Sequence, residues 1–128
     1  MRKIMIVDDE HDFRGMVCTL MKKEGHKVIE AKNGKECLKK LEKGHIPDLI
    51  LLDIMMPEMN GWETFDRIKE NTFWKDIPIV FLTVRKDDIA KSTGKFLGED
   101  YITKPFDVTD LKRRIDNVLK ISHSGPRE

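Results

Sequence analysis

Short apolar runs alternate with longer segments of helical periodicity along the chain, and this alternation limits the possible folds more than any other feature. Within the longer segments, apolar residues recur three and four positions apart, which is the spacing of one helix face. The short runs suit buried strands and occupy residues 3–8, 27–31, 48–53, 77–83 and 101–104. Strands that alternate with helices predict right-handed crossovers and a parallel sheet covered by helices on both faces.

Five strand–helix units indicate a flavodoxin-like (βα)5 fold with strand order 2-1-3-4-5, because a strand–helix barrel needs eight units. The run DLILLD at residues 48–53 is the most apolar, so we expect it at the centre of the sheet. The run KVIEA at residues 27–31 is more polar, which favours an exposed position. Residues 1–121 are expected to form one domain, followed by a disordered tail over residues 122–128.

Capping residues mark the ends of the predicted helices. Gly25 and Gly44 follow the first two helical segments, where glycine commonly takes the left-handed conformation that ends a helix. Asn33 precedes the second helix and can accept a hydrogen bond from an N–H group of its first turn. The weakest predicted helix covers residues 87–96, because serine, threonine and glycine lie inside it. We therefore expect that helix to be short or mobile.

Composition excludes several classes of protein. With 39% hydrophobic and 37% charged residues, the chain is too apolar to be disordered and too polar to span a membrane. Lys and Arg number 24 against 23 acidic residues, and this balance argues against nucleic-acid binding by this domain. Two cysteines, Cys18 and Cys37, cannot form a disulfide framework. The first apolar run is too short for a secretory signal, so the sequence predicts a cytoplasmic protein with reduced thiols.

Polar residues follow the predicted strands at one end. In open parallel sheets, ligands bind beyond the carboxyl ends of the strands, near the point where the strand order reverses. The first and third strands flank that point in the predicted order, so we expect their acidic residues to lie close together. The residues delivered to this edge are Asp8, Asp9, Glu10, Asp53, Thr83 and Lys104.

This combination of side chains predicts phosphoryl chemistry. Clustered carboxylates repel one another unless a cation lies between them, and carboxylate oxygens such as those of Asp9 and Asp53 suit Mg²⁺. Lys104 supplies a positive charge and Thr83 a hydroxyl donor at the same edge. A cation, an ammonium group and a hydroxyl around one carboxylate would let Asp53 act as a nucleophile that accepts a phosphoryl group.

Four motifs in order carry a family resemblance. Taken together, IMIVDDE, DLILLDIMMPEMNG, PIVFLT and DYITKPF resemble the receiver domain of two-component response regulators, in particular the chemotaxis response regulators. The resemblance covers residues 3 to about 120, nearly the whole chain. It implies that Asp53 is the phosphoacceptor, that Lys104 contacts the phosphoryl group, and that the Lys104–Pro105 bond is cis. The Mg²⁺ ligands that it implies are Asp9, Asp53, the backbone carbonyl of Met55, and Asp8 through water.

The resemblance also implies a mechanism for the switch. A histidine kinase or phosphotransfer protein would donate the phosphoryl group to Asp53, and the hydroxyl of Thr83 would then turn toward it. Tyr101 would rotate into the vacated space and change the surface that an unidentified downstream protein reads, with a phosphorylation-dependent homodimer as one open outcome. Val84 stands where the family usually has a small residue, so we expect it to slow hydrolysis of the acyl phosphate.

Other interpretations stay open at this point. The acidic run at residues 8–10 could cap the first helix, and Tyr101 could be a packing residue. An aspartyl phosphatase would need a second aspartate two residues after Asp53, where Met55 stands. A flavin-binding module would need a Ser/Thr/Gly-rich phosphate loop after the first strand, where three acids stand instead. A receiver without an output, acting as a phosphate sink in a relay, is the remaining alternative.

Overall fold

A computed structural model of the protein describes residues 2–54, 59–83, 100–103 and 108–122. The strands are β1 (Lys3–Val7), β2 (Lys27–Ala31), β3 (Leu49–Asp53), β4 (Ile79–Thr83) and β5 (Asp100–Thr103). The helices among these residues are α1 (His11–Lys23), α2 (Gly34–Glu42), α3 (Gly61–Lys69) and α4 (Val108–Ser122). Each predicted strand is present, whereas the predicted helix at residues 87–96 lies outside the described residues.

All five strands run parallel in one sheet with the order β2-β1-β3-β4-β5. The predicted flavodoxin-like topology is therefore confirmed. β3 lies between β1 and β4 and is buried at all five positions, as expected for the most apolar run. β2 forms one edge, and its first four residues are exposed or half-buried before the buried Ala31, so its predicted exposure is also confirmed.

Side chains that point alternately to the two faces of the sheet divide the core into two layers. Met5 and Val7 of β1 pack in the same cluster as residues of α2 and α3, and we call this cluster the α2–α3 layer. Ile4 and Ile6 face the other way and pack with residues of α1 and α4, which we call the α1–α4 layer. Successive side chains on a strand point to opposite faces, so the helices cover the sheet on both sides, as predicted.

The predicted helix ends are present in the structure. The side chain of Asn33 accepts a 2.8 Å hydrogen bond from the backbone N–H of Glu36, which caps α2. Gly25 and Gly44 have φ angles of +88° and +92°, a conformation that costs glycine little and other residues more. These residues end α1 and α2, so that the chain can return to the sheet as β2 and β3.

Both cysteines are buried and neither forms a disulfide. Burial raises the pKa of the Cys37 thiol to about 12, because a thiolate would lose its hydration there. Across the part of the chain that the structure describes, no helix has both the length and the apolar character needed to cross a membrane.

Candidate functional site

Three carboxylates meet at the carboxyl end of the sheet. Val7 of β1 is in register with Leu52 of β3, so the next residues along the two strands, Asp8 and Asp53, lie side by side. Asp9 completes the group, and one carboxylate oxygen from each residue lies within 4.8 Å of the others. Asp8 is fully buried and Asp53 is 5% exposed, whereas Asp9 is exposed. We call these three residues the acidic cluster.

Hydrogen bonds hold Asp8 at both its backbone and its side chain. Its N–H donates to the Ala31 carbonyl at 3.1 Å, which extends the pairing of β1 with β2. Its carboxylate accepts a 2.9 Å bond from the N–H of Glu10, and its carbonyl accepts a 2.8 Å bond from Nη1 of Arg14. Glu10 is the N-cap residue of α1 and makes no side-chain capping bond. The Glu10 side chain therefore does not cap α1.

The N-terminus of α3 lies directly against the backbone of Asp53. The N–H of Gly61 donates a 2.8 Å hydrogen bond to the carbonyl of Ile54. A β-carbon at position 61 would lie 2.5 Å from the carbonyl oxygen of Asp53, closer than carbon and oxygen atoms can approach. Glycine is thus required at this position, and the start of α3 fixes the chain immediately after the acidic cluster.

Asn60 stabilises the start of α3 through a reciprocal pair of hydrogen bonds. Its side chain accepts from the N–H of Glu63 at 3.0 Å, and the Glu63 carboxylate accepts from the N–H of Asn60 at 3.1 Å. This capping box satisfies two backbone N–H groups that a helix start otherwise leaves without partners. The position of Gly61 against Asp53 is therefore supported by the helix that follows it.

The other predicted site residues are only partly described. Leu82 of β4 is in register with Asp53, so the backbone of Thr83 ends β4 one step further along the same edge. Tyr101 lies in β5 opposite Phe81. The side chains of Thr83 and Tyr101 lie outside the described part of the structure. So do Met55, Val84, Lys104 and the Lys104–Pro105 bond in their entirety.

The donor set of the acidic cluster fits a small divalent cation that prefers oxygen. Mg²⁺ binds carboxylate oxygens at about 2.1 Å, so its coordination shell spans about 4 Å, comparable to the spacing of the three oxygens. Three negative charges at this separation repel one another in the absence of a cation. Among the described residues, the cluster contains neither a thiol nor an imidazole ligand, which the softer metals would favour.

Two residues that support the cluster were not predicted to do so. The sequence alone assigned no role at the site to Gly61 or to Arg14. A signal for Arg14 was present, because it continues the buried stripe of Val17, Cys18 and Met21 toward the start of α1. A charged residue on the buried face of a helix indicates a specific polar partner.

Comparison with known proteins identifies the family. The family model of the response regulator receiver domain matches residues 4–116, which is most of the chain. The chain belongs to the response regulator receiver domain family. The predicted resemblance is confirmed, and with it the assignment of the chain as a receiver domain of the type found in two-component systems.

Individual relatives agree with this assignment. The chain is 40% identical over 118 residues to a protein named probable transcriptional regulator ycf27 from Cyanidium caldarium, covering 91% of this chain and 46% of that one. A CheY-like receiver domain structure from Methanospirillum hungatei superposes with a TM-score of 0.81 at 34% identity, covering 96% and 98% of the two chains.

A third comparison shows that receivers of this shape are also found in other kinds of protein. The receiver domain of a signal transduction histidine kinase from Syntrophus aciditrophicus has a TM-score of 0.88 at 26% identity, covering 98% and 95% of the two chains. The chain spans about half the length of most of the curated relatives that it matches. The chemotaxis subtype stays a prediction, because these relatives include transcriptional regulators.

Proposed function

We propose that this receiver domain is a phosphorylation-dependent switch in which Asp53 accepts a phosphoryl group with the help of Mg²⁺. The convergence of Asp8, Asp9 and Asp53 within 4.8 Å carries this proposal. Asp53 is 5% exposed, so the carboxylate oxygen that attacks phosphorus is largely removed from bulk water. We also propose a cytoplasmic location, and that the domain binds neither nucleic acid nor a membrane.

The donor is a phosphohistidine of a histidine kinase or of a phosphotransfer protein. A carboxylate oxygen of Asp53 forms a bond to phosphorus while the bond between phosphorus and the histidine nitrogen breaks. The leaving nitrogen keeps the electron pair of that bond, and because the other ring nitrogen carries a proton, the products are an acyl phosphate and a neutral imidazole. Asp8, Asp9, Asp53 and the carbonyl of Met55 would hold Mg²⁺, which neutralises charge on the transferred group. The ammonium group of Lys104 and the hydroxyl of Thr83 bind the phosphoryl oxygens.

The side chains of the acidic cluster act differently because their surroundings differ. Asp8 is fully buried and accepts a hydrogen bond from Glu10, so its carboxylate is fixed in direction. Asp9 is exposed and can exchange its water for a cation at little cost. Asp53 lies between these extremes, at the end of β3, whose five residues are all buried.

Phosphorylation adds negative charge at the edge of the sheet and thereby shifts the balance between two packing arrangements. The hydroxyl of Thr83 moves toward the phosphoryl group, and Tyr101 moves toward the space that this vacates. The changed surface is read by a downstream protein, by an attached domain or by a second copy of the chain. The domain does not hydrolyse external phosphoesters. Its phosphoryl chemistry consists of forming and losing its own acyl phosphate at Asp53.

Intact-mass measurement tests the phosphorylation. We expect a gain of about 80 Da after incubation with Mg²⁺ and a small phosphodonor, and no gain when the metal is removed with EDTA. Asp53→Asn should abolish the gain, whereas Asp12→Asn, which changes an exposed aspartate in the first turn of α1, should leave it intact. A gain that persists in Asp53→Asn would contradict the proposal, as would a wild-type gain that EDTA does not reduce.

A further inference from the structure

Arg14 joins α1, the end of β1 and the edge strand β2 through one guanidinium group. Its Nη1 donates a 2.8 Å hydrogen bond to the backbone carbonyl of Asp8, and its Nε lies 3.2 Å from Oε1 of Glu30. The side chain is 13% exposed, so most of this charged group is removed from water. Burying a guanidinium group costs free energy unless its donors have partners, and these two acceptors lie on different strands.

The carbonyl that Arg14 binds belongs to the peptide between Asp8 and Asp9. Because a peptide is planar, fixing the direction of its oxygen also fixes the following N–H and restricts the position of the Asp9 α-carbon. The N–H of Asp8 is held separately by the carbonyl of Ala31. Through the backbone, Arg14 therefore restricts how the side chain of Asp9 can be directed relative to that of Asp8.

Glu30 holds the guanidinium group in this position. Its Oε1 accepts a 3.2 Å hydrogen bond from Nε of Arg14, and its Oε2 lies 3.8 Å from Sγ of Cys18. Glu30 is in register with Ile6 of β1, so its carboxylate is attached to the same sheet that carries the acidic cluster. The planar fork of an arginine can serve two acceptors in fixed relative directions, which a lysine cannot do.

We propose that Arg14, held by Glu30, is a positioning residue for the divalent cation, and that it sets cation affinity by orienting the peptide between Asp8 and Asp9. The inference rests on the proposed function, since it requires Mg²⁺ at the acidic cluster. Groups that hold metal ligands in place change metal affinity by about 10- to 100-fold when they are removed.

Charge and position predict opposite effects for the loss of Arg14. A positive charge close to a cation site repels the cation, so removal of the charge alone would tighten Mg²⁺ binding. Loss of the fixed peptide weakens binding, because the ligands must then be ordered when the cation arrives. The sign of the change in Mg²⁺ affinity therefore separates the two effects.

Isothermal titration calorimetry of the unphosphorylated chain with Mg²⁺ tests the proposal. We expect Arg14→Gln to weaken binding about tenfold, and Arg14→Lys, which keeps the charge without the planar fork, to weaken it by a similar factor. Glu30→Gln should produce a smaller loss in the same direction. Lys112→Gln is the matched control, because it removes an ion pair of 2.9 Å with Glu24 at the other end of α1 and should leave Mg²⁺ affinity unchanged.

The outcomes separate this inference from the proposed function. Equal or tighter Mg²⁺ binding by folded Arg14→Gln overturns the inference, and so does full affinity in Arg14→Lys. If Arg14→Gln does not fold, Arg14→Lys decides in its place, because Glu30→Gln also removes a negative charge, which by itself weakens cation binding. A wild-type chain that binds no Mg²⁺ refutes the proposed function itself. Phosphorylation of Arg14→Gln should return to the wild-type level at saturating Mg²⁺, and a persistent deficit would show that Arg14 does more than set affinity.

Discussion

The two layers of the core are held together in different ways. In the α2–α3 layer, the ring of Phe81 lies 4.7 Å from that of Trp62 and 5.2 Å from that of Phe65, measured between ring centres. In the α1–α4 layer, the buried side chains are those of Ile, Leu, Val and Met, and ion pairs such as Arg14 with Glu30 lie at its border.

This difference separates stability from control of the site. Rigid aromatic rings and close backbone contacts tolerate few changes of volume, so we expect the α2–α3 layer to be the more sensitive of the two to such changes. Aliphatic side chains can repack more easily when the volume of a neighbour changes. The polar contacts at the border of the α1–α4 layer extend to the acidic cluster. We therefore expect substitutions in the first layer to change the free energy of unfolding, and those around Arg14 to change the chemistry.

The largest expected effect comes from two neighbouring residues of β4 that point to opposite layers. Phe81 and Leu82 are both fully buried, the first in the α2–α3 layer and the second in the α1–α4 layer. Phe81→Ala should lower the free energy of unfolding by about 4 kcal/mol and Leu82→Ala by about 3 kcal/mol, measured by urea denaturation. A greater loss for Leu82→Ala would reverse the proposed ranking of the layers.

Glycine-to-alanine substitutions should change the free energy of unfolding in opposite directions in the two layers. A β-carbon at Gly34 would lie 2.1 Å from Oγ1 of Thr64, so Gly34→Ala should cost about 2 kcal/mol. A β-carbon at Gly15, inside α1, meets nothing within 4 Å, so Gly15→Ala should stabilise the protein by about 0.5 to 1 kcal/mol.

A double-mutant cycle tests whether the loss of stability in Gly34→Ala comes from the contact between the new β-carbon and Thr64. Thr64→Ala removes the atom that a β-carbon at position 34 would meet, so Gly34→Ala should cost clearly less in that background. Thr64→Val keeps the volume and should give no such relief. If the two backgrounds give the same cost, the tight contact with Thr64 is not the cause.

The thiol of Cys37 in the α2–α3 layer should make stability depend on pH. Its pKa is raised from 9.0 to about 12 in the folded protein, so between these pH values the unfolded state loses a proton that the folded state keeps. The free energy of unfolding should therefore fall by about 1.4 kcal/mol per pH unit above pH 9. Denaturation of wild type and Cys37→Ala at pH 8 and pH 10 should reveal this slope as the difference between them.

The smallest expected effect lies at the border of the α1–α4 layer. Lys112 and Glu24 form an ion pair of 2.9 Å, and about a third of each side chain is exposed. Lys112→Gln should therefore cost about 0.5 kcal/mol at low salt and close to nothing in 1 M NaCl, where the Debye length is about 3 Å. A cost that survives high salt would show that the lysine stem contributes through packing instead.

The sequence predicted the sheet well because its signals are local. The apolar run of β3 and the capping residue Asn33 each act within a few positions of the chain, and both were interpreted correctly. Strand order then followed from general rules of connection, and the meeting of Asp8 with Asp53 followed from strand order.

The supports of the site could be predicted only in part, because the buried stripe on α1 marks Arg14 as needing a polar partner but does not identify that partner. Arg14 and Glu30 are 16 positions apart in sequence, and their contact depends on side-chain rotamers and on the register of the edge strand. The requirement for glycine at position 61 depends on how closely α3 approaches the backbone of Asp53. Such distances arise only when whole elements are packed together, and no pattern of residue types encodes them.

The close approach of Gly61 to Asp53 also gives the protein an intrinsic optical probe. Trp62 follows Gly61 directly, and its half-buried indole rests on Phe81, two residues before the end of β4. The second indole, Trp74, lies beyond the other end of α3 and can be replaced by phenylalanine. In such a variant, tryptophan fluorescence comes from Trp62 alone, so we expect events at Asp53 to be followed in real time without any attached dye.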